Sequence, residues 1–287
     1  MKKYLKLIRI KHYLKNGLIF LPLIFSKSLF NMDLLIKVLI SFFIFSIASS
    51  IVYIVNDIRD VEKDKNHPKK KKRPIASGEI SIRKASIFIC ILTILLIGLI
   101  VLNTLLFNVN LYSLLLLTIY ILINIGYSFG MKNVPILDIV ILVSGFLIRV
   151  LYGSVVSGIE ISSWLYLTVI SMSFYLGLGK RRNEIVKGTE NGTIRKVLKY
   201  YNKDFLDKNM YMYLALTATF YSLWCLDNQA IKGIIWTIPV LLIICMKYSL
   251  TIESESNGDP IEVLLSDKVL MFLCSIYLVM ILLMIYI

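Results

Sequence analysis

The sequence predicts an all-α polytopic membrane protein with nine transmembrane helices. Three observations predict it. Of 287 residues, 57% are hydrophobic, against about 45–50% apolar residues in an ordinary soluble domain. Mean hydropathy is +0.76. Charged residues gather in a few blocks, and the stretches between them approach the ~20 apolar residues that one helical crossing needs. The stretches are continuously apolar rather than alternating, which excludes a transmembrane β-barrel.

The spans run at 14–30, 34–55, 82–103, 109–128, 134–153, 162–180, 209–227, 231–251 and 268–287. The first is short and continues a basic, aromatic start, "KKYLKLIRIKHYLKNG", whose Lys and Arg suit lipid headgroups at the membrane surface. Eight further spans and the lack of a small-residue cleavage site argue against a secretory signal. No soluble module or Ser/Gly linker interrupts the series, so residues 1–287 read as a single membrane domain.

Charge gives the orientation. With the N-terminus in the cytoplasm, nearly all of the 32 Lys and Arg residues fall on the cytoplasmic side. Lys27, Lys37 and Lys232 lie outside, and Arg149 lies within a span. That is the positive-inside pattern, and it places the chain in the cell membrane with its functional face cytoplasmic. The net charge of +14 then reflects topology and contact with anionic lipid, and no soluble basic face suggests nucleic acid. The four cysteines all lie in apolar spans without metal-binding spacing, as small packing residues do.

Three polar clusters stand out. In "VNDIRDVEKDKNHPKKKKRPIASG" (55–78), Asp57, Asp60 and Asp64 occur at i, i+3 and i+7. If the second span stays helical for two more turns, they share one face, with Asp57 and Asp64 about 10 Å apart along the axis. Carboxylates stacked at a helix C-terminus oppose the macrodipole and require cations. Hard oxygen ligands suit Mg²⁺, which is commonly held by carboxylates and substrate phosphates. Local pairs such as Asp60 with Lys63 offer a purely structural account. Most of lysines 69–72 are positive-inside charge, and Arg73, followed by Pro74, is the member that points at a ligand.

The second cluster is "NIGYSFGMKNVPILDIVILVSGFLIRVLYG" (124–153). Tyr127 and Lys132 sit at a boundary, Asp138 one turn inside the next span and Arg149 eleven residues on. Asp138 and Arg149 share a face but lie too far apart to pair. Ionisable groups inside a span face the bundle interior or a cavity, so Lys132 and Asp138 read as functional, whereas Arg149 reads equally as a structural anchor. The third cluster is "GLGKRRNEIVKG" (177–188), where Lys180 and Arg181 lie nearest the span and have the chemistry to hold phosphate. All three follow even-numbered spans, which predicts one cytoplasm-facing cavity suited to a diphosphate-bearing substrate.

"NDIRDVEKD" resembles the NDxxDxxxD signature of the UbiA superfamily of intramembrane prenyltransferases. "RIKHYLKNGLIFLPL", "HPKKKKRPIASGEIS", "YSFGMKNVPILDIVILVSGFLIRVLYGSVVSG", "KRRNE" and "GDPIEVLLSDKVL" resemble its decaprenyl-phosphate phosphoribosyltransferase branch. The likeness covers nearly the whole chain and implies a UbiA-type bundle of nine helices around a cytoplasm-facing cavity. It implies Mg²⁺-dependent transfer of 5-phosphoribose from phosphoribosyl diphosphate to a polyprenyl phosphate, a step in making a glycolipid precursor. It assigns metal binding to Asn56, Asp57, Asp60 and Asp64, the three aspartates being catalytic. It assigns substrate binding to Lys15, Asn16, Arg73, Tyr127, Lys132, Asp138, Arg149, Lys180 and Arg181.

Two departures matter. Arg9-Ile10 and Tyr13 stand where the branch often has Arg-Pro and Trp. The loop after the sixth span has no DxxxD, unlike the quinone-type members, and its basic character suits an anionic acceptor. The main alternative is a prenyltransferase acting on an aromatic or other small acceptor, which that missing acidic motif disfavours. A transporter would place polar groups at mid-membrane with broken helices, whereas here the ionisable groups cluster mainly on one side.

Overall fold

The computed structural model describes residues 2–66, 70–191, 196–228, 231–253 and 258–287, without the side chains of 187–191. Lys69 and part of the basic loop after the sixth expected span lie outside the described residues. All regular structure in the described residues is helical. The α-helices are α1 (Lys2–Leu7), α2 (Leu21–Phe25), α3 (Met32–Arg59), α4 (Val61–Lys65), α5 (Ile82–Phe107), α6 (Leu111–Ser128), α7 (Leu137–Ser157), α8 (Ser163–Asn191), α9 (Lys203–Asp227), α10 (Thr237–Glu253), α11 (Pro260–Ser266) and α12 (Lys268–Tyr286).

The helices start where short polar side chains can take up free backbone donors. Asn31 caps α3, Ser81 caps α5, Asn110 caps α6 and Asn202 caps α9. Asp267 accepts from the amides of both Val269 and Leu270 at the start of α12. Inside the helices, hydroxyls such as Ser41, Thr93 and Ser173 donate to carbonyls one turn back. That satisfies them where no water is available.

Six segments are long and apolar enough to cross a membrane: Met32–Arg59, Ile82–Phe107, Leu111–Ser128, Leu137–Ser157, Ile234–Glu253 and Lys268–Tyr286. The other three expected spans have different character. The first, 14–30, is broken into the 3₁₀ segment Ile10–Phe20 and the short α2. Those at 162–180 and 209–227 lie within α8 and α9, whose Ser, Thr, Tyr and Trp residues dilute the apolar signal.

The chain forms two compact units. The first holds Met1–Leu23, Ser28–Phe129 and Ile148–Ile159. Here α3 packs on the 3₁₀ segment, α5 and α6. Its core includes Ile44, Phe45, Ala48, Tyr120 and Tyr152. Asn103 of α5 donates to Ser41 of α3 at 2.8 Å, a buried interhelical hydrogen bond. Gly153 lets the Ile19 carbonyl approach so closely that any Cβ there would collide with it.

The second unit holds Ile24–Lys27, Gly130–Leu147 and Glu160–Ile287. Here α8 lies along α9, and α10 packs on α8, α9 and α12. Tyr175, Leu206, Met210, Trp224 and Ile252 are in its core.

Candidate functional site

The acidic cluster lies in the first unit, and its geometry follows from where α3 stops. The helix runs one turn past the apolar stretch and ends at Arg59. Asp60 takes φ −91° and ψ 10°, off the helical values, and α4 then begins. The expected unbroken helix is therefore interrupted, and the three aspartates do not form one straight stripe. Among the described residues no group of three His, Cys, Asp or Glu side chains is arranged to hold a metal.

Asp57 and Asp64 meet at a single point instead. Both are buried, at 3% and 2% exposure. Arg73 Nη1 donates to Asp57 Oδ1 at 3.0 Å and to Asp64 Oδ2 at 2.6 Å. The two carboxylate oxygens are thus no farther apart than these two contacts laid end to end. Arg9 Nη2 makes a second, very short bond to Asp57 Oδ1. Asp60 is half-buried at the helix junction, and Ser128 Oγ holds Asn56 Oδ1 at 2.9 Å.

Sequence reasoning did not find Arg9. Its backbone is left-handed, φ 55°, which is uncommon for a residue other than glycine. Its guanidinium lies 4.8 Å from the Tyr53 ring centre. The 3₁₀ segment that follows is unusually long for that conformation, and side-chain bonds hold it. Asn16 donates to Ser46 at 2.9 Å, and Tyr13 lies 3.0 Å from Ser50. Arg149 Nε donates to Asn16 at 2.7 Å, and its guanidinium sits 5.0 Å from the Phe45 and Tyr120 ring centres. Asn16 and Arg149, far apart in sequence, therefore form one buried group. Lys15 and Tyr127 are half-buried in the same unit.

The second unit holds the remaining candidates. Asp138 Oδ2 lies 2.6 Å from Arg181 Nε, and both side chains are 0% exposed. Glu184 takes Arg181 Nη1 at 2.7 Å. Tyr201 donates to Asp138 Oδ1 at 2.6 Å and accepts the backbone N–H of Ile136. Burial, then the hydrogen bond to Asp138, pushes the Tyr201 phenol up to about 12. Lys180 pairs with Asp259 at 3.2 Å, and Arg182 pairs with Asp207 and Glu253. Lys132 is half-buried on the 3₁₀ turn Met131–Asn133. The "KRRNE" charges are thus largely matched within their own unit, and Lys180 is the most exposed of its three cations.

The first unit's donor set fits a hard divalent cation. The candidate ligands are all oxygen, and two buried carboxylates already turn toward one positively charged nitrogen, which stands in for a cation. Asp57 and Asp64 would hold Mg²⁺ there, with Asn56 and Asp60 alongside.

The chain is 35% identical to the decaprenyl-phosphate phosphoribosyltransferase of Corynebacterium glutamicum, over 99% of its own length and 86% of the relative's. It is 32% identical to the protein of the same name from Mycolicibacterium smegmatis, over 84% of this chain and 78% of that one. A solved UbiA homologue from Archaeoglobus fulgidus, bound to GPP and Mg²⁺, superposes with a TM-score of 0.70. It is 18% identical and matches 99% of this chain and all of the other, which is a likeness of fold. The UbiA prenyltransferase family model matches residues 19–276. The chain therefore belongs to the UbiA prenyltransferase family.

Proposed function

We propose that the chain is a Mg²⁺-dependent membrane transferase. It moves 5-phosphoribose from phosphoribosyl diphosphate to a polyprenyl phosphate and releases diphosphate. The observation that carries this reading is the meeting of Asp57 and Asp64 on one cation, in a chain related along nearly its whole length to decaprenyl-phosphate phosphoribosyltransferases. The reading includes one membrane domain of nine crossings in the cell membrane, with the aspartates facing the cytoplasm.

Bound Mg²⁺ would neutralise charge on the departing diphosphate. Asp57, Asp60 and Asp64, with Asn56, hold the metal, and Arg73 contacts the diphosphate oxygens. The acceptor phosphate is already anionic, so no side chain need remove a proton from it. It needs cations that bring two anions together in line. In the first unit Lys15 serves this, with Tyr127 as a hydroxyl donor; Lys132 and Lys180 are candidate phosphate contacts of the second unit. Asn16, Asp138, Arg149 and Arg181, all buried, act as positioning residues that fix the helices carrying these groups.

The test uses purified protein in liposomes with Mg²⁺, a polyprenyl phosphate and phosphoribosyl diphosphate labelled in the ribose. Label in the lipid extract that requires Mg²⁺ and both substrates is the expected result. No label, together with transfer from a prenyl diphosphate to an aromatic acid, would return the protein to prenyl transfer.

A further inference from the structure

We propose that Arg73 is the resident counter-cation of the Asp57–Asp64 pair and holds the divalent-cation position until a diphosphate arrives. Metal and diphosphate then enter together, and metal alone is opposed. This rests on the metal assignment proposed above for the same carboxylates.

Two buried carboxylates facing one point repel each other, and a cation placed between them offsets that repulsion. The guanidinium of Arg73 is that cation: among the described contacts, its Nη1 touches both Asp57 and Asp64. Arg9 differs in each respect. It reaches Asp57 but not Asp64 in the contacts described, lies against Tyr53, and extends from a left-handed backbone. It is built to stay. Arg73 is built to leave. Its side chain is 26% exposed, and it follows the single 3₁₀ turn Lys70–Lys72, which has no buried residue. Outside that turn's own backbone bonds, an exposed hydrogen bond from Lys6 Nζ to the Lys72 carbonyl ties the turn to α1. The Arg73 carbonyl accepts the Ser77 N–H, and Pro74 and Ile75 beside it are buried, so the exchange is a rotation of the side chain alone, which leaves the core packed.

Charge makes the exchange conditional. A divalent ion and a guanidinium cannot occupy the same point, so metal arriving alone must expel Arg73 into a place with no new anion. A metal–diphosphate complex brings both partners at once. The metal takes the carboxylates, and the diphosphate oxygens take the released guanidinium, whose fork suits them bidentately. Metal and diphosphate affinities are then coupled, and the coupling is reciprocal.

The experiment measures Mn²⁺ bound to the full chain in detergent, by the loss of the free-ion electron paramagnetic resonance signal. The native chain should bind Mn²⁺ alone weakly. Arg73→Gln should bind it at least tenfold more tightly, and the further change Asp64→Asn should cancel that gain. In the native chain, Mn²⁺ that stays with the protein through a desalting column should rise at least tenfold when inorganic diphosphate is present, relative to the same chain without it, after subtracting the Mn²⁺–diphosphate that a protein-free control carries through. This second measurement stands even if Arg73→Gln does not fold. Equal or weaker Mn²⁺ binding by Arg73→Gln, or no effect of diphosphate on the native chain, would overturn the placeholder role. Failure of every chain to bind Mn²⁺, with or without diphosphate, would instead overturn the metal assignment beneath it.

Discussion

Asp138 and Arg181, 43 positions apart, meet at 2.6 Å with neither side chain exposed. The Nε–Oδ2 approach lies off hydrogen-bond geometry, so it is an electrostatic contact, and Tyr201 and Glu184 take the other ends. One carboxylate and one guanidinium thus tie the start of α7 to the C-terminal half of α8. A buried pair of this kind adds little net stability while intact, but breaking one side leaves a bare charge. Asp138→Asn or Arg181→Met should each lower stability by about 3–5 kcal/mol. Removing both should cost less than the two single changes together. Thermal unfolding in detergent across the four-chain cycle checks this, and additive losses would dissolve the pair.

Tyr201 supplies a pH test. Its folded phenol titrates near 12, whereas the unfolded chain loses that proton near pH 10. A raised folded value means the contribution is fully present below about pH 10 and fades as pH rises toward 12. The native chain should therefore lose stability across that window, and Tyr201→Phe should flatten the decline. Identical alkaline profiles for the two chains would remove the Asp138 hydrogen bond from the account.

For the acidic cluster, Asp57→Ala, Asp60→Ala and Asp64→Ala should each cut transfer by at least about 10²–10³-fold. That is the scale of losing one preorganised electrostatic contact. The variants should still insert and elute as folded protein. Full activity in any one of them would strike that residue from the metal set.

Gly153→Ala places a methyl group against the Ile19 carbonyl. Overpacking of this type costs about 1–3 kcal/mol, and here it strikes the 3₁₀ segment that carries Arg9 and Asn16. A lower melting temperature is expected. A control change such as Gly98→Ala inside α5, where a Cβ meets open space, should not lower melting, since Ala favours a helix interior over Gly.

Much of the fold was legible in the sequence because lipid imposes a one-dimensional rule. A crossing helix must satisfy its own backbone and present apolar side chains, so α3, α5, α6, α7, α10 and α12 stand out by composition. The segment at 14–30 also read as a span, but its break into a 3₁₀ segment and a short helix did not show, because that geometry depends on Asn16 bonding Ser46 and Arg149, which are remote in sequence. The Asp-rich motif was equally plain. What misled was the assumption of a straight helix through it, since the break at Asp60 shows only in its backbone angles.

The sequence by itself determined an all-helical membrane chain, the UbiA signature at Asn56–Asp64 and the location of the charge blocks. These are local properties, set by runs of neighbouring residues and their solvent. Only the tertiary structure decided the partners. It gave Asp57 and Asp64 to Arg73, added Arg9, buried Asp138 against Arg181 and joined Asn16 to Arg149. A charge's partner depends on which chain segments pack together, and that is settled by the shape of the whole core, far beyond any one motif.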